Sequence, residues 1–418
     1  MTLAAWPTYD SYKDSGVDWL GTVPQGWKTK KLKFITQIMK RIAGREGPDV
    51  LSITQQGIKV KDVTSGEGQL AEDYSNYQLV YRGDFAMNHM DLLTGYVDIS
   101  QFDGVVSPDY RVFRRTSDEL DDRYLLLIFQ IGYKQRIFFR YGQGVSLLGR
   151  WRFPAESFKE FQVPIPPLPE QHAIAAFLDE KCAKVDEAVR IKEEQIALLR
   201  ERRQIVIQQA VTRGLNPAAP MKDSGIDWIG QIPAHWEVMS IRYAFKFRNN
   251  QRIPLSASER EGKQGGYPYY GASGIIDYVQ DYIFDEDLIL IAEDGANLLS
   301  KSTPLAFVAT GRYWVNNHAH ILAPLFPGFK YWAELLSATD YTVYISGAAQ
   351  PKLTKDRLGS IRVPVPPAQE LLAIISFIER ESEKFANAIA IKEEQIAVLR
   401  EYKTSLINAA VTGKIKVA

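Results

Sequence analysis

His318 and His320 sit two residues apart and would share one face of a strand, where with Asp294 they would make a metal pair, but no third ligand stands at a fixed spacing. Glu293-Asp294 is a carboxylate pair suited to metal or acid–base work, yet adjacent side chains on a strand point apart. Glu261-Gly-Lys263 has the tail of a nuclease motif without a nearby Pro-Asp, and Asn216-Pro-Ala218 fails as the Asn-Pro-Pro-aromatic element of an adenine methyltransferase. A phosphate loop is absent, and Gly142-Gln-Gly144 lacks the third glycine of a dinucleotide fingerprint. These absences support a binding protein, and if its partner is nucleic acid the side chains to weigh are cations and amides. Arginine and lysine reach guanine or phosphate, and asparagine and glutamine suit adenine. The candidates in the first half are Arg111, Arg114, Arg115, Lys134, Arg136, Arg140, Gln143 and Arg150, with Tyr141-Gly-Gln-Gly144 as an exposed polar loop. In the second half they are Arg248, Asn249, Asn250, Gln251, Arg252, Lys301, Gln350 and Lys352, and Asn249-Asn-Gln-Arg252 has the best local chemistry for base edges.

The elements that must position these groups occur twice. Ile191-Lys-Glu-Glu-Gln-Ile-Ala-Leu-Leu-Arg-Glu201 returns as Ile391-Lys-Glu-Glu-Gln-Ile-Ala-Val-Leu-Arg-Glu401. Around the first copy Leu178, Cys182, Val185, Val189, Lys192, Ile196, Leu199, Arg203 and Val206 step by four and three, the seam of a coiled coil. The second seam reads Ile378, Ser382, Phe385, Ile389, Lys392, Ile396, Leu399, Lys403 and Leu406. Cations recur on the same two rungs, Lys192 with Lys392 and Arg203 with Lys403, and polar seam positions fix register at some cost in stability. Ile191, Leu198 and Ile205 lie beside the seam and predict a second buried face for a partner. Residues 12–27 return at 221–236, matching Asp14, Gly16, Trp19, Gly21, Pro24 and Trp27 with Asp223, Gly225, Trp228, Gly230, Pro233 and Trp236. This repeat reads as glycine- and proline-punctuated loop with tryptophan anchors for packing.

Between these borders the pattern is strand-rich. Val50–Thr54, Gln78–Tyr81, Gly95–Ile99 and Tyr110–Phe113 predict strands in the first half, with a short helix from about Asp122 to Phe139. Tyr267–Ile276, Leu288–Ala292 and Ala319–Leu322 do so in the second, whose sequence otherwise shows little likeness to the first. Val163-Pro-Ile-Pro-Pro167 and Val363-Pro-Val-Pro-Pro367 are extended exits, followed by helix starts at Glu170 and Glu370. The expected class is α+β: two strand-rich mixed α/β domains separated by two long antiparallel helices in a coiled coil, a pseudo-twofold tandem repeat. The expected boundaries are 1–165, 166–214, 215–365 and 366–418. A helix of some 40 residues spans about 60 Å, enough to hold two domains apart.

The chain has 418 residues, 45% of them hydrophobic, and a net charge of zero, so it suits several domains and any nucleic-acid surface must be local. Its single cysteine, Cys182, excludes internal disulfides. No secretory leader or membrane-length apolar run occurs, which predicts a cytoplasmic protein.

The tandem halves, the paired Lys-Glu-Glu-Gln-Ile helices, the Val-Pro exits, and the Val211-Thr212 and Val411-Thr412 helix ends resemble the DNA specificity subunit of type I restriction-modification systems. Gly83-Asp-Phe85, Gly104-Val-Val-Ser-Pro-Asp-Tyr110, Glu293-Asp-Gly295 and Gly347-Ala-Ala-Gln-Pro-Lys-Leu353 resemble its target recognition domains. The resemblance covers nearly the whole chain. It implies a noncatalytic subunit whose two recognition domains each read half of a bipartite, asymmetric site in double-stranded DNA through the major groove, while the helices set the gap. It further implies two methyltransferase subunits as partners and two restriction subunits that can join them. No cofactor is expected in this chain: S-adenosylmethionine belongs to the methyltransferase, and ATP with Mg2+ to the restriction subunit. Two other readings of the residues remain open at this point: a coiled-coil adaptor without sequence-selective DNA binding, and a metal-dependent nuclease using Asp294 and His318.

Overall fold

A computed structural model describes residues 6–63, 71, 73–144, 151–347 and 351–417. The chain forms two compact units, one of residues 1–192 with 394–418 and one of residues 193–393.

The first unit is built on a four-stranded antiparallel sheet of β1 (Thr36–Met39), β2 (Phe85–Met87), β3 (Val97–Ile99) and β4 (Arg111–Arg115), in the order β1-β4-β2-β3. Helix α1 (Asp122–Lys134) packs Tyr124, Leu125, Ile128 and Phe129 into the core. Asp121 caps its first turn by accepting from the Tyr124 amide, and Arg136, in the left-handed region at φ 55°, ends the segment before the expected Phe139. A short helical turn, Phe138–Tyr141, follows.

The second unit repeats this topology. Strands β5 (Phe245–Phe247), β6 (Leu288–Ala292), β7 (Ala306–Ala309) and β8 (Ala319–Pro324) form an antiparallel sheet in the order β5-β8-β6-β7. The domain contents that look unlike in sequence therefore share one strand order. Strand pairing is a backbone property and tolerates any side chains that fill the faces. Additions differ: the second unit carries a further four-stranded sheet of Gly274–Val279, Gln264–Gly271, Arg312–Val315 and Phe284–Asp285. In its place the first has the two-stranded ribbons Leu51–Thr54 with Gly57–Val60 and Gln78–Val80 with Gly104–Val106.

Helix α2 (Leu168–Arg213) contributes its first half to the first unit and its second half to the second. Helix α3 (Phe329–Ala338) is the second unit's match for α1, and α4 (Ala368–Val411) is the second long helix. Neither long helix has a glycine, and the one proline, Pro169, lies in the first turn of α2 where no amide donor is needed. Within the first unit Asp186 of α2 meets Lys403 of α4 at 2.6 Å, while Leu178 and Ile407 line one cleft; within the second, Arg200 lies 3.6 Å from Glu393 and Arg203 donates to Ser382 at 3.2 Å. One number rises as the other falls, so the helices run antiparallel in both units. The cationic rungs find different acids: Arg203 also pairs with Glu334 of α3 at 2.7 Å, and Lys403 with Asp186. Leu178, Val185, Val189, Ile196 and Leu406 are buried, and Lys192, Leu199, Val206, Phe385, Ile389, Lys392 and Leu399 are half-buried.

The repeated borders are more ordered than loop. Tyr12–Asp14 pairs with Thr22–Pro24, and Met221–Asp223 with Gln231–Pro233, as small antiparallel ribbons. Trp27 and Trp236 are fully buried, and their indoles donate to Glu170 Oε2 at 3.2 Å and Glu370 Oε2 at 2.9 Å in the first turns of α2 and α4. Glycine ends each long helix at positive φ, and a Cβ there would run into Pro24 and Trp27 at Gly413, or Glu370 and Trp236 at Gly214. Above each cap a buried tyrosine reaches the helix end, Tyr124 donating to Val411 O at 3.0 Å and Tyr331 to Val211 O at 3.1 Å. Each unit is thus closed by the start of one long helix and the end of the other.

Candidate nucleic-acid interface

The strand registers place Arg111 on β4 and His320 on β8 at the same station, opposite Met87 and Ile291. Arg111 is 5% exposed; it donates to Phe153 O at 2.9 Å and lies 4.8 Å over the Phe158 ring. Burial lowers its pKa to about 10. His320 is fully buried and its Nε2 lies 2.7 Å from Leu353 O. The two carbonyls are themselves equivalent, since the amides of Phe153 and Leu353 bond His89 O and Glu293 O, each at 2.7 Å. A buried basic side chain therefore ties the central sheet to the residue after the isolated bridge at Arg152 or Lys352, just before the short helix that leads to each exit, with arginine in one unit and histidine in the other. Arg111 is consequently a core residue, and its burial removes it from the surface that sequence chemistry assigned it.

The neighbours of this station differ in charge. His89 holds a buried, unpartnered Nδ1, and burial, then Arg111 and Arg152, lowers its pKa to about 3. Glu293, 13% exposed, accepts from Arg252 at 2.5 Å and lies 3.4 Å from Lys352 Nζ and 3.5 Å from His320 Nδ1. Burial raises its carboxyl, but the hydrogen bond from Arg252 and the charges of Arg252 and Lys352 outweigh it and hold the group below the usual range.

The structure places the remaining candidates in differing surroundings. Arg114 and Arg41 both bind the fully buried Asp84, the aspartate of Gly83-Asp-Phe85, and Arg41 stacks on Tyr81 at 4.7 Å. Arg115 pairs with Asp122 at 3.0 Å and Asp118 at 3.4 Å. Lys134 lines a cleft of about 500 Å3 with Arg123, Asp186 and Lys403, where desolvation and Lys403 lower its pKa. Arg136 and Arg140 are exposed, and Gln143, also exposed, pairs backbone to backbone with Arg152. Arg248 forks onto Glu286 at 3.1 and 3.3 Å. Lys301 adopts φ 48° and donates to Thr339 O at 3.2 Å. Lys352 is exposed and pairs with Ser346, so Ser346 is the counterpart of Gln143. Arg150 and Gln350 lie outside the described residues.

The structure gathers Asn249, Arg252 and Lys352 around Glu293 and His320, and leaves Lys301 and Arg248 apart from them. The sequence singles out neither Arg41 nor Arg152, and it marks Asp84 and Glu293 only within family-like motifs and, for Glu293, as half of a carboxylate pair, not as residues that hold these cations. Arg152 had a signal, since it precedes Val163 by the interval at which Lys352 precedes Val363. The metal pair does not assemble. Both ring nitrogens of His320 are engaged, while His318 turns to Asp294 at 2.9 Å, and no cluster of three His, Cys, Asp or Glu ligands occurs among the described residues. Glu293 and Asp294 point to different partners, as neighbours on an extended chain should. No helix among the described residues is long and apolar enough to cross a membrane.

The doubled frame, the antiparallel helix pair and the two unlike faces define a class. Residues 24–199 and 233–401 each match the type I restriction modification DNA specificity domain, and the chain belongs to that family. Among individual proteins it is similar to a Methanocaldococcus jannaschii protein assigned as the MjaX type I restriction enzyme specificity subunit, 22% identical over 95% of this chain and 96% of that one. A Haemophilus influenzae protein assigned as the type I restriction enzyme specificity subunit S.HindORF215P is 34% identical over 31% of this chain and 33% of its own length. A solved chain, from work on complex assembly and conformational transition of the type I R-M system, shares the fold with TM-score 0.61 at 15% identity, covering 93% of this chain and 98% of that one.

Proposed function

We propose that this chain is the noncatalytic, DNA-reading subunit of a type I restriction-modification complex. Each recognition domain reads one half of a bipartite, asymmetric site in double-stranded DNA, and helices α2 and α4 set the gap. The observation that carries this reading is the contrast between a frame whose border anchors, exits and mid-helix segments recur and sheets of one topology whose polar groups differ. A frame kept constant around variable contents suits a device that changes its target without changing its partners.

Two methyltransferase subunits are the partners proposed for the outer faces of the helices, where Ile191, Leu198, Ile205, Ile391 and Val398 are exposed beside the buried seam. They methylate adenine with their own S-adenosylmethionine, and two restriction subunits with ATP and Mg2+ add translocation and cleavage. Half-sites about one helical turn apart, roughly 34–36 Å, present the same DNA face to both domains. Exposed cations such as Arg136, Arg140 and Lys352 supply phosphate contacts on this reading. Mapping methylated adenines genome-wide in strains with and without this gene is the test. A bipartite motif that disappears with the gene supports the reading, and an unchanged map rejects it.

A further inference from the structure

The stretch Asn249-Asn-Gln-Arg252 has the side chains of a base reader, yet the structure divides it into two pairs. Asn249–Gln251 is a 3₁₀ turn following β5. Asn249 faces inward: its Oδ1 accepts from the Ile321 amide at 2.9 Å, and its Nδ2 lies 2.8 Å from His320 Nδ1. With His320 Nε2 donating to Leu353 O, Nδ1 is the acceptor for the Asn249 amide, so one neutral tautomer satisfies both contacts. Arg252 closes the other end of the turn, donating from Nε to Asn249 O at 3.0 Å and from Nη1 to Ala319 O at 2.8 Å and Glu293. Asn249 and Arg252 are therefore engaged inside the protein, although their chemistry is that of base recognition.

Asn250 and Gln251, between them, are exposed, and neither side-chain amide bonds another described residue. A turn fixed by a buried histidine, a buried carboxylate and an internal asparagine carries two unengaged amides on its outer side. Such construction removes backbone freedom before a ligand arrives, which is the condition for a discriminating hydrogen-bond pair. The first unit has no such turn after β1: Lys40 and Arg41 follow, Arg41 binds Asp84, and Arg111 takes the station of His320.

We infer that Asn250 and Gln251 are specificity-determining residues of the second domain, reading base edges of its half-site, and that Asn249, His320, Arg252 and Glu293 position them. A side-chain amide offers one donor and one acceptor in the spacing of adenine N7 and N6, so adenine is the base assigned to this contact. The inference rests on the DNA-reading function proposed above.

The test uses cells carrying the full chain with its methyltransferase partner, with methylated adenines mapped by sequencing. N250A, Q251A and the double variant should relax one or two positions of one half-site, with roughly 5- to 150-fold lost preference for adenine there, and leave the other half and the gap unchanged. An unchanged motif from the double variant overturns the assignment while leaving the DNA-reading function standing; a wild-type map that does not depend on the gene overturns that function itself. H320Q, whose amide can donate to Leu353 O and accept from Asn249, should keep the motif, whereas H320L should relax the positions that N250A or Q251A relaxes. If H320L lowers methylation at every site without relaxing those positions, His320 does not position the reader.

Discussion

The indole nitrogen of Trp236 donates to Glu370 Oε2 at 2.9 Å, joining the border of the second unit to the first turn of α4. Trp27 and Glu170 make the same bond in the first unit, so the tryptophan repeat and the helix repeat are two sides of one joint. His235 Nε2 reaches the same carboxylate of Glu370 at 2.7 Å and cannot replace a donor in the fully buried indole pocket. Trp236→Phe keeps most of the apolar contact and loses a hydrogen bond to a charged group, a change of about 1.5–3 kcal/mol. A lower urea midpoint with an unchanged methylation motif is the expected result.

Gly413→Ala should cost more than Gly16→Ala. Both glycines lie at positive φ, 71° and 68°, where a Cβ carries a penalty of about 1–2 kcal/mol. A Cβ at Gly16 meets open space, but one at Gly413 would stand 2.4 Å from Pro24 Cδ. Thermal unfolding of the two variants measures the difference.

Acid should weaken the second unit through His320. Burial lowers its pKa from the ordinary imidazole value against the opposing pull of the Leu353 carbonyl and Glu293, with Arg252 and Lys352 reinforcing the burial. The folded ring stays neutral at pH values where the unfolded chain binds a proton. The contribution is therefore whole above about pH 6.5 and declines as pH falls toward the depressed folded value, by up to about 1.4 kcal/mol per pH unit. Urea titrations between pH 7.5 and 5.5 should show a shallower slope for H320Q than for the parent chain.

Asp84→Ala should destabilise the first unit by about 3 kcal/mol. The carboxylate is fully buried, and its loss strands the guanidiniums of Arg41 and Arg114 as well as the Tyr81 amide that bonds it at 2.9 Å. Chemical denaturation is the readout; a midpoint within error of the parent chain rejects the structural role given to Asp84.

The frame was legible in the sequence because it was written twice: Lys-Glu-Glu-Gln-Ile, the Val-Pro exits and the paired tryptophans reveal helices, joints and duplication by identity alone. The common topology of the sheets was not, since Thr36–Met39 and Phe245–Phe247 share a position in the strand order and no residue pattern. The equivalence of Arg111 and His320 depends on strand register, which no local motif carries. Asn249 and Arg252 show a different limit. The groups that recognise a base edge are those that satisfy buried carbonyls and amides, so residue type alone could not separate the pair that holds from the pair that is exposed.

The division of labour between a constant spacer and two variable domains is tested most directly by inserting four residues into α2, which lengthens it by about 6 Å and keeps its face nearly in phase. Sequencing the adenines methylated in cells carrying this variant and its methyltransferase should return both half-sites unchanged with a longer gap between them. Altered half-sites at an unchanged gap would contradict the account.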